Sequence, residues 1–412
     1  MTQLTRYAQV SLAVLLFSLA RPSAGLAQGT ARSMDIDLSI RSAGMAGASN
    51  AVFWGGSLNH WANPAVLGYT RGIRYEYGKT QLVPGLATDV FIRSEAVKVG
   101  WSGIGLVAQG KPGGVGGVLL DYGESEGVDE SGNPIGTFHS QETVDSWGFG
   151  VSALQTLEAV ARAAGLRPPP VSRYFDVSGG MNFKDVEVQL APPSALGVGS
   201  TRARDAGVLA RLTLLDGLER NRTLPARFEV AYGNSKLSYN DDASITFGFE
   251  ETERVSRHRR EGFALHAAVN APVMVDLMRR PSPIGSLARG FSPLLSIGAA
   301  FDHDRIDAGA GTSEYRVEGS GYEATFANVF ALRRGHYEDR VGDVVGRTWG
   351  WMVALPLGDL AGARYEFAQV PQARNSDLPD VKRHAWSAWI DPVAIWRAAR
   401  SAEHGRLAQA VR

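Results

Sequence analysis

Few stretches of this chain carry side chains that could do chemistry. Asp302-His303-Asp304 with Asp307 offers carboxylate oxygens and one imidazole to a divalent cation. Neighbouring strand residues point to opposite faces, so only Asp302 and Asp304 converge and His303 is left outside. The cluster reads better as a solvated loop after the apolar run at 293–301. Arg254, Arg257, His258, Arg259 and Arg260 form a basic run near a strand start, suited to anionic lipopolysaccharide or to plain solvation. A hydrolase needs Ser, His and a polar orienting group in one locality. His266 and His384 fall on strand-like segments without a Ser at a recognisable motif, and the 8 His are scattered singly. With 0 Cys there is no disulfide, thiolate metal site or cysteine nucleophile. No catalytic residue, metal site or cofactor is expected, and the chain does not read as an enzyme.

What must position these groups is a series of strands behind an export signal. Arg6 supplies a positive n-region, Val10–Ala20 an apolar core too short to span a bilayer, and Gly25 and Ala27 a cleavage site after Ala27. No later apolar run reaches the roughly 18 residues of a membrane helix. The charge balance, 42 basic against 42 acidic residues, gives no sign of a nucleic-acid surface. Gly at 48 residues with hydrophobics at 44% suits many short strands with one polar or small face.

Period-two alternation is the main signal. Ile73, Tyr75 and Tyr77 oppose Arg74 and Glu76; Phe228, Val230 and Tyr232 oppose Arg227 and Glu229; Tyr365 and Phe367 oppose Arg364 and Glu366. Each places an Arg and a Glu opposite bulky apolar groups, which in an outer membrane puts the charges in the lumen and the aromatics in lipid. Elsewhere the inner face is small: Gly148 and Gly150 lie behind Trp147 and Phe149, Gly298 behind Ile297, and Gly350 behind Trp349 and Trp351. Inner Gly is expected where a plug or neighbouring backbone comes close. Further strands are placed near 89–100, 103–110, 115–122, 175–190, 203–214, 263–270, 322–332 and 383–390. Gly123–Gln141 is acidic and turn-rich, hence an outer loop, and Asp216–Pro225 and Asp276–Ser292 look similar. Leu154, Leu157, Val160 and Ala164 have helical spacing, predicting a short amphipathic helix at the membrane interface or against the barrel rim. Asp391-Pro392 starts a final helix, followed by a basic tail with Arg397, Arg400, Arg406 and Arg412.

Between signal and first strand lies RSAGMAGASNAVFWGGSLNHWANPAVL, residues 41–67. Pro64 fixes φ and Asn63 can bond nearby backbone, so Asn63-Pro64-Ala65 is a rigid turn. Phe53, Trp54 and Trp61 need shelter that a bare linker cannot give. This segment resembles the start of mature FadL-like outer-membrane proteins, especially the PorV/PorQ-type branch. The matching positions are Arg41, Ala43, Gly44, Met45, Gly47 and Ala48, then Asn63, Pro64, Ala65 and Leu67. Ala46 replaces a usual Gly, and the acidic residues common before Asn-Pro-Ala are missing. Gly180 and Lys184 in Val177–Lys184, Asp205–Leu209, and Tyr365–Pro371 followed by His384 and Ser387 resemble later strands of the family.

The resemblance implies a barrel of about 14 strands with an N-terminal hatch in the lumen. Such proteins either pass hydrophobic compounds or receive cargo for a secretion machinery. The expected fold is all-β: a transmembrane antiparallel β-barrel at 71–390, with a signal at 1–27, a plug at 28–70 and a periplasmic helical tail at 391–412. Gly44, Met45, Gly47, Trp54, Trp61, Asn63, Pro64 and Ala65 are the expected plug and gating residues. Arg74, Glu76, Arg227, Glu229, Arg364 and Glu366 should line the lumen. The expected setting is the outer membrane of a Gram-negative-type bacterium, as a monomer among outer-membrane lipid and lipopolysaccharide. The expected partner is a hydrophobic small molecule or a secreted protein.

Overall fold

A computed structural model describes residues 31–110, 116–128, 134–190, 198–247, 251–280, 283–308, 314–374 and 376–400. The signal at 1–27 and Arg406 and Arg412 lie outside the described residues. One antiparallel sheet contains β1 (Gly72–Gln81), β2 (Phe91–Trp101), β3 (Ile104–Gln109), β4 (Val118–Val128), β5 (Pro134–Ser152), β6 (Phe175–Gln189), β7 (Val198–Asp216) and β8 (Ala226–Leu237). It continues through β11 (Arg257–Val269), β12 (Leu295–Asp307), β13 (Tyr315–Phe326), β14 (Phe330–Asp339), β15 (Val344–Leu357), β16 (Ala361–Val370) and β17 (Val381–Ile390). β9 (Ser244–Phe247) and β10 (Glu251–Arg254) form a separate hairpin.

β3 and β4 both pair with β2 and β5, so together they make one stave and the barrel has 14. Closure runs from Ile73 opposite Ile390 to Thr80 opposite Arg383. Among the described residues every stave pairs with a neighbour on both sides, the condition for strands to cross a bilayer. Outward residues such as Leu106, Trp147, Phe263, Tyr322, Leu355 and Trp386 are exposed large hydrophobics. A closed barrel wearing such a belt is a multi-pass outer-membrane protein of the Gram-negative type.

The lumen of 14 strands is too wide to be filled by wall side chains alone, and residues 31–70 occupy it. This plug contains a short helix α1 (Ile40–Gly44) and the 3₁₀ turn Pro64–Tyr69. Its apolar residues Met45, Val52, Phe53, Trp54 and Val66 pack with small or branched wall residues Leu209, Ala231, Ala264 and Ala300. Inward glycines let its backbone touch the wall. A Cβ on Gly150 would sit 2.7 Å from the Gly68 nitrogen, and one on Gly321 2.6 Å from the Met45 Cα.

At the end where β1 begins and β17 stops lie α2 (Ala153–Ala163), α3 (Pro272–Met278), α4 (Pro283–Gly290) and a last helix, α5, at 392–400. This end also has the tightest turns, as at 102–103 and 358–360, which marks it as periplasmic. In α2 the carboxylate of Glu158 is turned inward, accepting the Ser172 N–H at 2.7 Å, while Leu157 and Val160 are exposed. Its apolar stripe therefore faces away from the rim, toward the membrane interface. Asp391 caps α5, its Oδ1 accepting the N–H groups of Val393 and Ala394 at 3.0 Å each.

Several expectations are corrected. The segment 322–332 is not one strand but the hairpin of β13 and β14, turning at Ala327 and Asn328 with φ of 47° and 54°. No Gly or Pro marks that turn, so the alternation ran straight through it. Most of Gly123–Gln141 is paired β4–β5 ladder rather than loop. A hairpin that extends beyond the membrane into water has no apolar face and so resembles a loop in composition. Asp216–Pro225 and Asp276–Ser292 lie at the periplasmic end, opposite the β4–β5 turn, because strand parity decides the side. Asp302 to Asp307 belong to β12, and His258 and Arg260 to β11, all within paired strand.

The glycine seat makes a prediction. Gly180→Val would place a Cβ 2.7 Å from the Ala65 nitrogen, whereas on outward Gly179 the nearest such contact is 4.0 Å away. Overpacking of this kind costs about 1–3 kcal/mol. Gly180→Val should lower hydrogen-exchange protection of the plug amides while heat-modifiable migration of the barrel persists, and Gly179→Val should change neither. Equal protection in both variants would show that the close approach does not seat the plug.

Candidate functional site

The plug is held at three heights. At the periplasmic end, Asn63 caps the Pro64–Tyr69 turn, its Oδ1 accepting the Ala65 N–H at 3.0 Å. Its Nδ2 donates to the carbonyls of Asn50 at 2.9 Å and Val208 at 3.2 Å, tying turn to plug and plug to wall. Ser178 donates to the Ala65 carbonyl at 2.6 Å, and Ser235 to the Ala62 carbonyl at 2.7 Å. Ala65 itself is wholly buried.

In the middle, Arg41 is buried and meets Glu323 through both Nε, at 2.9 Å, and a terminal nitrogen. It also donates to the Trp54 carbonyl, and Trp54 Nε1 donates to Glu323 at 3.2 Å. Glu323 accepts from Arg333 at 2.7 Å, and Arg333 pairs with Glu366 at 2.7 Å. Glu366 in turn accepts from Ser57 of the plug at 3.0 Å. Burial pulls the Arg41 guanidinium below its ordinary range, with Glu323 opposing. Higher still, Asp302 accepts the backbone N–H groups of Ser49 at 2.8 Å and Asn50 at 2.7 Å.

Gly44 lies against the wall, where an added Cβ would be 3.3 Å from that of Arg333, and Met45 is completely buried. Gly47 turns the chain after α1 with φ +81°, a conformation that glycine adopts without strain. Trp54 stacks on His266 at 4.8 Å, and Trp61 lies under the Lys184 ammonium at 3.8 Å. Pro64 packs on Gly180.

Of the six charged strand residues, Arg74, Glu229, Arg364 and Glu366 are buried, and Glu76 and Arg227 are half-buried. Their ion pairs join different strands rather than i,i+2 mates. Glu76 pairs with Lys98 at 2.6 Å, Arg227 with Asp216 at 2.9 Å, and Glu229 with Arg211 at 3.4 Å. Arg74 and Arg364 lie over the Trp389 ring at 5.1 and 5.6 Å. Lys98 also donates to the Leu58 carbonyl of the plug at 2.7 Å.

The chemical candidates of the sequence are spoken for. Asp302 and Asp304 face inward and His303 outward, but Asp302 holds plug amides and Asp304 holds His258 and Arg260, each at 2.8 Å. The inward half of the basic run is therefore buried structure rather than solvated loop. His266 is engaged by Glu229 at 3.3 Å and by Trp54. His384 meets the Tyr365 hydroxyl at 2.5 Å. The sequence reading missed Glu323 and Arg333, whose only signal is a charge on the inner side of an alternating strand. It also missed Lys98 and Gln109, for the same reason.

One plug contact meets an irregular stretch of wall. β3 ends at Gln109 and β4 begins at Val118, so the ladder is irregular beside Glu95 and Asp145, where the Glu95 N–H donates to the Gly117 carbonyl at 3.2 Å. Gln109 Oε1 contacts His60 Nε2 at 3.0 Å and accepts from Ser146 at 3.0 Å.

No family profile matches the sequence, and no curated protein does. Among solved structures, the chain is similar to the toluene transporter TbuX of Ralstonia pickettii, at 11% identity over 86% of this chain and 99% of that one, with a TM-score of 0.37. It is similar to a FadL homologue of Pseudomonas aeruginosa, at 10% identity over 86% and 98% of the chains, TM-score 0.40. A TodX monoaromatic hydrocarbon channel carrying the ΔS2S3 mutation is similar at 10% identity over 85% and 98%, TM-score 0.40.

His60 gives the site a pH dependence. Burial, then the nearby Lys98 charge, holds its pKa well below the usual 6.5. An unseated plug therefore takes up the proton first, so seating is complete above pH 6.5 and weakens as pH falls toward the folded value. Protection factors of plug amides, taken relative to intrinsic exchange at each pH, should fall between pH 7 and 5, and His60→Gln should flatten that slope. A slope unchanged in His60→Gln would assign it to other groups.

Proposed function

We propose that the protein passes hydrophobic small molecules passively across the outer membrane, with displacement of the plug, and no bond-making step, controlling access. The observation that carries this reading is the His60–Gln109 contact, which couples the plug to the wall at the end of β3. The seated plug leaves a cavity of only about 50 Å³ among Leu38, Ile40, Leu58, Trp61, Ala96 and Trp386. That is far below the roughly 300–1,000 Å³ of a small-molecule pocket. A larger cavity of about 290 Å³ opens at the outer mouth, between Asp35, His258, Asp304, Tyr315 and Tyr337. The route we propose runs from that mouth and past a shifted plug. The resemblance of residues 41–67 to FadL-like proteins supports the same reading.

Several of the contacts holding the plug are ones that water could replace. Backbone amides on Asp302, hydroxyls on carbonyls and Arg41 on Glu323 each contribute little net free energy when they form. Such a seat is specific in geometry yet reversible, as a gate requires. Gly44, Gly47, Gly55 and Gly56 give the segment hinges.

The chain has 0 Cys, so a reversible lock is simple to introduce. Ala43 and Ala368 pack in one buried cluster. Ala43→Cys with Ala368→Cys, oxidised, should reduce uptake of a hydrophobic fluorescent probe to the level of cells lacking the protein, and reduction should restore it. Deleting 42–62, with the signal and Asn63 onward kept, should raise uptake if the heat-modifiable barrel still assembles. Uptake indifferent to both lock and deletion would overturn the channel reading in favour of a docking role for secreted cargo.

A further inference from the structure

The outer face of the wall carries like charges in direct register. Lys236 of β8 is the Cα partner of Arg259 on β11, Arg259 of Arg305 on β12, and Arg305 of Arg316 on β13. All four point outward and are exposed. Directly opposed like charges destabilise a sheet, since their Cβ atoms are only about 5 Å apart. The row beneath supplies partial compensation: Glu261, His303, Glu318 and Glu338 are in register, and Arg316 pairs with Glu318 at 2.8 Å. His303 accepts from Arg316 at 2.5 Å. Four cations thus stand over three carboxylates, of which Glu318 pairs with Arg316 and Glu338 with Arg340, and among the described residues Lys236, Arg259 and Arg305 have no ion-pair partner.

Position decides what can neutralise the row. Val269 is the last outward apolar residue of β11 at the periplasmic end, and Arg259 lies ten residues along the same strand. A tilted strand needs about 9–11 residues to cross the hydrocarbon layer. Arg259 and its row therefore sit at the headgroup level of the outer leaflet. Below them is a groove of about 420 Å³ on the barrel exterior, floored by Phe263 and Phe301, with Arg305 and Arg316 at its upper edge and Glu261, Glu318 and Glu338 along its wall. Unpaired cations at the upper edge and an aromatic floor below the carboxylates fit an amphiphile whose anionic head reaches the upper row.

We propose that this face holds a phosphorylated lipid of the outer leaflet, its phosphates across Arg259, Arg305 and Arg316 and an acyl chain against Phe263 and Phe301. Charge complementarity selects the phosphates, and the aromatic floor distinguishes a lipid from a free anion. The site is independent of the channel reading, because every residue in it faces away from the lumen.

Barrel stripped of lipid in a non-ionic detergent can be titrated with diphosphoryl lipid A, with lipid A freed of its phosphates, and with inorganic phosphate, reading retained ligand by native mass spectrometry. The wild type should retain diphosphoryl lipid A at least tenfold more tightly than the phosphate-free lipid, and equimolar inorganic phosphate should not compete. Arg259→Gln with Arg305→Gln should lose that preference while keeping the heat-modifiable form, since it removes repulsion within the row. If the double variant does not assemble, Arg259→Gln and Arg316→Gln singly decide in the same way. Equal retention of both lipids by the wild type, a preference unchanged in the variants, or displacement by inorganic phosphate would each overturn the proposal.

Discussion

The rest of the structure depends on close approach between two backbones, that of the plug and that of the wall. Fourteen strands enclose a lumen wider than side chains from the wall can fill, and a hole through the outer membrane must be either used or blocked. Residues 31–70 block it by lying directly against the strands. Gly150 and Gly180 meet the Pro64 turn, Gly233 and Gly262 meet Asn50, and Gly321 and Gly335 meet Met45 and Ala46. Any side chain at these positions would hold the plug away from the ladder. With the plug in contact, its amides and carbonyls come within reach of wall side chains that satisfy them, as Ser178, Ser235 and Asp302 do. The glycines are a geometric precondition for that polar lattice.

The charges that hold the plug suit a movable part better than a permanent core would. Burying Arg41 with Glu323 costs desolvation that the pairing roughly offsets, so the pair adds geometry more than free energy. Removing the plug would not leave Glu323 without a cation, because Arg333 remains at 2.7 Å and is itself shared with Glu366. On the proposed reading, opening exchanges one partner in a chain of four charges, with water free to enter. An entirely apolar plug would have to expose its whole buried surface to move. Here Trp54, Trp61 and Met45 carry the apolar part, and their shelter depends on the polar anchors around them.

Outside the lumen, the wall records the asymmetry of the membrane. The periplasmic end carries four helices, and Leu157, Val160, Ile284 and Trp396 among them are exposed. The outer end carries the extended β4–β5 hairpin, the small β9–β10 hairpin and the row of cations. Aromatic residues lie between, with Tyr232 and Phe263 in contact at 5.0 Å and Trp147 stacked on Phe183 at 4.4 Å. Apolar stripes at one end and cations at the other match an inner leaflet met by amphipathic helices and an outer leaflet rich in anionic heads.

Side-chain alternation is a local property, and so the sequence by itself determined which residues face lipid and which face inward. Ile73, Trp147, Tyr232 and Trp349 lie outward, as the period of two requires, and α2 and α5 follow from spacing and capping. Inner glycines at 150, 298 and 350 already implied a close neighbour. Partners, by contrast, depend on register between strands far apart in the chain, which no local pattern encodes. That is why Arg74 and Glu76 do not complete each other and Glu76 meets Lys98, and why Glu323 joins Arg41 across 282 positions. Register also turned Asp302 and Asp304 from a candidate cation site into plug and wall anchors, and aligned Lys236, Arg259, Arg305 and Arg316 in one row. The hairpin at Ala327–Asn328, lacking any turn residue that stands out, and the sidedness of 216–225 and 276–292 became definite only when the barrel closed. Closure counts strands, and only a complete count assigns each turn to a side of the membrane.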